Sequence, residues 1–143
     1  MRDDGPVEPT QLLGRWRLDR RVADRCAGLC GQMTGQLELV PCADGVRWAE
    51  RGVFSYAGRR FDSTRDYLIR RRGDGWVVCF ADGREFHPWR PGAVVEHPCR
   101  ADLYRGLIDA RPGLLRVLWD VRGPGKDQRL VTRCVRDGDA RAI

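Results

Sequence analysis

The feature that most constrains this 143-residue chain is a series of short glycine-bearing turns, recurring roughly every ten to thirteen residues with alternating apolar and polar stretches between them. Ala43-Asp44-Gly45, Ala57-Gly58-Arg59-Arg60, Gly73-Asp74-Gly75 and Ala81-Asp82-Gly83 are suited to little except reversing the chain. The stretches between them have the period of two that places successive side chains on opposite faces of a strand. Spacing this short leaves no room for the helical crossovers that parallel strands need, so sequence neighbours are expected to pair antiparallel.

Pro9-Thr10-Gln11-Leu12-Leu13 reads as one helical turn whose leucines plug an end of a barrel. A first strand opens at Gly14 with Trp16, Leu18, Arg20 and Val22 on one face; a second runs from about Met33 to Val40. A third, Val46 to Tyr56, sets Trp48, Glu50, Phe54 and Tyr56 on one side, and a fourth sets Phe61, Ser63, Arg65, Tyr67 and Ile69 together. Trp76 to Phe80 and Arg84 to His87 follow as short strands, and Asp102 to Ala110, Leu114 to Arg122 around Trp119, and Gln128 to Val135 complete the series. The segment from His87 to His97 holds Pro88, Pro91 and Gly92, with Pro98 just beyond, and reads as a connection. About eight to nine evenly spaced strands predict an all-β, antiparallel up-and-down barrel, in which closure removes the edge strands. With 42% hydrophobic residues there is material for one core, so a single domain over residues 9–137 is expected between loose tails at 1–8 and 138–143.

Three charged residues fall on apolar faces: Arg20, Glu50 and Arg65. An unpaired buried charge costs several kcal/mol, so each must find a partner or line a wet cavity. Arg20 and Glu50 either satisfy each other or orient a ligand, and the sequence leaves both open. The richest concentration of reactive side chains is His97-Pro98-Cys99-Arg100-Ala101-Asp102-Leu103-Tyr104. In one continuous strand His97 and Cys99 would face away from Asp102 and Tyr104, whereas a bulge between Cys99 and Asp102 would bring all four to one side. Together such groups would do acid/base chemistry; alternatively, His97 and Asp102 bond to each other or to the backbone and tie the connection down.

The net charge of +6 and pI of about 9.4 do not argue for nucleic acid. Lys126 is the one lysine among 26 basic residues, asparagine is absent, and serine occurs only at Ser55 and Ser63, a skew that points to codon usage. The arginines also alternate along strands among 20 acidic residues, where a nucleic-acid footprint needs clustering. No stretch has the roughly 20 apolar residues of a membrane span, and Met1-Arg2-Asp3-Asp4 opens no signal peptide, so a soluble, cytoplasmic protein is expected. Cys26, Cys30 and Cys42 lack the second matching pair of a zinc site, and Cys79 and Cys134 lie in apolar strands, so no metal is expected.

Gly14-Arg15-Trp16, at the head of the first strand behind a helical turn, resembles the Gly-x-Trp signature of lipocalin and calycin barrels. The resemblance implies that an arginine of the last strand packs across the tryptophan, with Arg136 in that place and Arg133 as the alternative. Over residues 12 to 136 the chain also resembles an uncharacterised bacterial family of small lipocalin-like proteins. That resemblance rests on Gly14-Arg15-Trp16-x-Leu18-x-Arg20, Glu85-Phe86-His87, His97-x-Cys99-x2-Asp102-x-Tyr104 and Gly123-Pro124-Gly125-Lys126-Asp127. It implies a fold and a set of pocket positions, and no activity.

Interior arginines, tyrosines and tryptophans describe a concave apolar site with a few placed polar groups, so the first expectation is a barrel that binds a small anionic or amphipathic molecule. Arg20, Glu50, Arg65, Tyr67, His87, His97, Asp102, Tyr104, Trp119 and Lys126 are the candidate ligand-binding residues, with Trp16 and Arg136 closing the barrel. An enzyme using the same cavity through His, Asp and Tyr, or a structural barrel with a filled interior, are the alternatives. No cofactor is expected, haem at His87 or His97 being the minor alternative. The expected partner is a small molecule, without nucleic acid or membrane, to a monomer or homodimer.

Overall fold

In the first strand, β1 (Gly14–Asp24), alternation is reproduced as burial: Trp16 and Leu18 are buried while Arg15, Arg17 and Asp19 face solvent. The chain goes on through β2 (Leu29–Cys42), β3 (Gly45–Tyr56), β4 (Arg59–Arg72), β5 (Gly75–Phe80), where Val77, Val78 and Cys79 are buried in succession, and β6 (Glu85–Pro88), where Phe86 and His87 both are. It continues through β7 (Val94–Cys99), β8 (Asp102–Arg111), β9 (Leu114–Gly123) and β10 (Lys126–Arg136). The computed structural model describes residues 5–138; the parts of the two expected tails at 1–4 and 139–143 lie outside the described residues. The remaining regular element is a 3₁₀ turn, Pro9–Leu12.

The ten strands form one antiparallel sheet in the order β6-β5-β4-β3-β2-β1-β10-β9-β8-β7, an up-and-down meander in which β1 also pairs with β10. The sheet curls into a nearly closed barrel whose two edges, β6 and β7, meet through side chains: Phe86 and His97 lie 5.1 Å apart between ring centroids, and Phe80, at the end of β5, lies 5.7 Å from His97. Among the described residues no backbone hydrogen bond joins β6 to β7. Proline explains the seam. Pro88 ends β6 and Pro98 lies in β7, and a residue with no N–H is tolerated at a sheet edge and not in its middle.

Two sequence expectations need correction. There are ten strands where eight to nine were expected, because Val94–Cys99 is a strand within what read as a proline-rich connection. The second strand also starts at Leu29, four residues before Met33, since Ala23 and Asp24 continue the ladder against Cys30 and Leu29.

One end of the barrel is plugged. Trp16 is fully buried against the 3₁₀ turn, and its indole N–H donates to the Leu12 carbonyl (3.0 Å). The Arg136 guanidinium lies 4.4 Å from the Trp16 ring centre and donates to the carbonyls of Leu13 (2.7 Å), Gln11 (3.3 Å) and Pro112 (2.9 Å). One residue thereby joins a cation–π contact to three carbonyls of two chain segments, the N-terminal turn and the β8–β9 turn. Gly14 (φ 128°) is needed here both for its backbone angle and for space, as a Cβ would lie 3.1 Å from Arg136 Nη1.

Because Trp16 fills the plugged end, Trp16→Ala should lower unfolding stability by about 3 to 5 kcal/mol, as for other buried aromatics. Equilibrium urea denaturation measures it, and a loss below about 1 kcal/mol would show that the plug does not hold the fold.

Candidate functional site

The interior carries charge at its centre. Arg20 on β1 reaches past β2 to Glu50 on β3, donating from Nη1 to Oε1 (3.0 Å) and from Nη2 to Oε2 (2.8 Å) in a two-pronged ion pair. Arg20 Nε donates to Thr132 Oγ1 on β10 (2.7 Å), and Trp48 Nε1 donates to Glu50 Oε2 (2.9 Å). Glu50 is 2% exposed, so the three donors replace the water it has lost. Of the two readings open at the sequence level, mutual satisfaction is met in full, and the pair also borders a cavity.

That cavity has a volume of about 50 Å³. Arg20, Glu50, Arg65, Tyr67, His87 and Trp119 line it with Trp48, Phe86, Trp89 and aliphatic side chains of β5, β8, β9 and β10. It is far smaller than the roughly 300 to 1,000 Å³ of drug-sized sites and suits a few waters or a molecule of a few heavy atoms. Arg65, read from the sequence as an interior arginine, is instead exposed: directly opposite Glu50 in the β3–β4 ladder, it forms the rim, where β4 is open to solvent. Its Nη1 donates to Tyr67 Oη (3.2 Å), and among the described residues no carboxylate lies within ion-pair distance of it. Burial pushes the Tyr67 phenol above its ordinary pKa, outweighing the pull of Arg65, so the hydroxyl keeps its proton. With its oxygen taken by Arg65, Tyr67 has an O–H left to donate.

A β-bulge places the opposite wall. The β5–β6 register shifts between Val78 and Cys79, so that Val78 pairs with His87 and Cys79 with Glu85. Phe86 is the extra residue, and Phe86 and His87 are both buried and both line the cavity, where strict alternation would have turned one outward. His87 Nδ1 lies 2.8 Å from the Pro88 carbonyl, which can only accept, so Nδ1 carries the proton and Nε2 is a lone-pair acceptor. Trp119 stacks on Phe86 (4.9 Å, 15°) and lies over Gly106, where any Cβ would come within 2.5 Å of the indole.

The remaining candidates sit elsewhere. The sequence reading offered a single strand or a bulge for His97 to Tyr104; the structure has a hairpin. Arg100 and Ala101 turn the chain, His97 pairs with Tyr104 and Cys99 with Asp102, and cross-strand partners share a face without any bulge. Arg100 holds φ 57°, the sign that the first residue of a II′ hairpin turn requires. His97 packs on Phe80, Phe86 and Tyr104. Of the partners left open for Asp102, His97 or the backbone, the structure has neither as its ion-pair partner: Lys126 Nζ lies 3.3 Å from Asp102 Oδ2. Lys126 has its pKa raised by the bond to Asp102 and by Tyr104, so it is a charged strap between the β7–β8 and β9–β10 hairpins.

The sequence reading missed Phe86, Trp89 and Trp48 as lining. Trp48 had a signal, standing two residues before Glu50 on the same face; Phe86 stood in the Glu85-Phe86-His87 motif, but neither it nor Trp89 had a periodic signal, because a bulge and a proline-flanked loop break the period. Trp89 is buried, and its indole N–H donates to Val7 O (2.9 Å). Among the described residues no cluster of three or more His, Cys, Asp or Glu side chains is placed to hold a metal ion. Cys26, Cys30, Cys42 and Cys99 are exposed free thiols; Cys134 is buried and its thiol is pushed up to about 12, by burial first and by the Glu50 charge second.

Residues 12–136 match the family described as "Family of unknown function (DUF6314)". No curated protein matches the chain.

Burial holds the His87 pKa below its ordinary value of 6.5, with His97 acting in the same direction and the Pro88 carbonyl opposing. The unfolded chain therefore takes up a proton that the folded chain refuses. Stability present above about pH 6.5 is lost as the pH falls through the lower folded value. His87→Leu should flatten the decline in Tm between about pH 6.5 and 5, measured by thermal melts across that window; a slope equal to wild type would contradict the buried neutral imidazole.

Proposed function

We propose, from the premise that this chain belongs to the DUF6314 family of unknown function, that it binds a small anionic molecule in the barrel interior. The observation that carries the reading is Arg65. Arg20 holds Glu50 in a two-pronged ion pair, while Arg65 at the cavity rim feels Glu50 only from beyond ion-pair distance and hydrogen-bonds a neutral phenol, leaving its guanidinium for a ligand to neutralise. A carboxylate would take guanidinium N–H groups from Arg65 and the Tyr67 O–H, the charge-assisted geometry for which arginine is suited. Around these donors the walls are aromatic and aliphatic, so an apolar remainder is accommodated as far as the volume allows.

The finer kinship with bacterial lipocalin or calycin barrels belongs to the same proposal. It is supported by Gly14-Arg15-Trp16 at the head of β1 and by Arg136 over Trp16. A cytoplasmic setting is supported by six cysteines, all of them unpaired. A structural barrel is the second reading, and the observation favouring it is the small volume of the cavity. Catalysis is not proposed: His97, Asp102 and Tyr104, the groups that would have served it, are held in an aromatic cluster and an ion pair.

Thermal melts with small carboxylates and their neutral amides separate the two readings. A ligand at a hundred times its Kd stabilises by about 2.7 kcal/mol, several degrees in Tm. Carboxylates should raise Tm well above their amides in the wild type, and Arg65→Gln should remove the difference. Equal shifts for acid and amide would overturn anion binding, and no shift from either would leave the structural barrel.

A further inference from the structure

Resting on that reading, the geometry points to a narrower ligand class: a small acid that also carries a hydrogen-bond donor, a hydroxyl or an N–H, which His87 Nε2 accepts. His87 is 5% exposed and lines the cavity with Arg65 and Tyr67. Its ring is fixed by Nδ1–H donating to the Pro88 carbonyl and by edge contacts with Phe86 (4.8 Å, 71°) and Trp119 (5.3 Å, 61°). That leaves Nε2 without a hydrogen-bond partner among the described residues, a basic lone pair on a buried side chain.

The other polar groups of the cavity cannot use it. Arg20 and Trp48 are committed to Glu50, and Glu50 accepts from both and offers no proton. Tyr67 and Arg65 donate, but they serve the anion. The cavity thus presents donors on β4 and an acceptor on β6, two kinds of site that a plain acid fills only by half. An acid carrying the donor gains a charge-free hydrogen bond at Nε2 that a plain acid forgoes, a difference of about tenfold in binding. A 2-hydroxy acid of glycolate size has both functions within the few heavy atoms the cavity admits.

The test is titration calorimetry of the wild type with glycolate and with acetate, alongside ¹⁵N–¹H correlation spectra of the histidine rings. Glycolate should bind about tenfold tighter than acetate, and the spectra should show His87 as the Nδ1–H tautomer whose Nε2 resonance alone shifts on adding glycolate. His87→Leu should bind the two acids equally. Should that variant fail to fold, the wild-type comparison and the spectra still decide. Equal affinity of wild type for the two acids, or an Nε2–H tautomer, would overturn the role of His87 while anion binding stands. If neither acid binds, this inference and the anion site fall together.

Discussion

The structure depends on a charge that has to be kept inside a barrel. Removing the Arg20 guanidinium and the Glu50 carboxylate from water carries a penalty of several kcal/mol per ion, which attraction between them offsets only with good geometry and further hydrogen bonds. Both conditions are met: two parallel N–H···O contacts, with Thr132 accepting and Trp48 donating at the sides. The participants come from β1, β3 and β10, three strands whose register the network fixes at once. A slip of one residue in any of them would turn its member outward and leave the others buried without a partner, so slipped pairings are selected against more strongly than apolar packing alone would achieve.

Closure is the second constraint, and the chain meets it incompletely. Eight strands between the edges run as long ladders, but β6 and β7 carry Pro88 and Pro98 and meet through rings rather than through backbone bonds. The same region holds the bulge that turns both Phe86 and His87 inward. The irregular part of the barrel is therefore also where an imidazole faces the interior, opposite the regular β4 that supplies Arg65 and Tyr67. The regular strands give a rigid frame and the seam gives the departure from alternation that a polar interior needs.

This division decides what was legible in the sequence. Where alternation was unbroken, as from Trp16 to Val22 and Val46 to Tyr56, one line of residues gave the strand, its inward face and the charges on it; on β4 the line Phe61 to Ile69 shares a face, but Phe61 and Arg65 are exposed and only its far end, at Ile69, is buried. Arg20, Glu50, Arg65 and Tyr67 were placed together for that reason alone. Around His97 the reading stopped short because Pro98 is a poor strand residue and Arg100 is an unexpected occupant of a positive-φ turn, so neither the seventh strand nor its two-residue hairpin had a local signal. The inward turn of Phe86 beside His87 follows from a register shift against β5, a property of the pairing and not of either segment. Lys126 stood out as the one lysine, but its ion pair with Asp102 joins residues 24 positions apart, across a contact visible only once β8, β9 and β10 are aligned.

The central claim is that a small acid lies inside the barrel between Arg65 and the aromatic wall. The most direct measurement is a nuclear Overhauser experiment on ¹³C-labelled glycolate with unlabelled protein. The account predicts contacts from the ligand methylene to the ring protons of Trp119 and Phe86, both buried around the cavity. Contacts only to solvent-facing side chains, or none at saturating ligand, would contradict it.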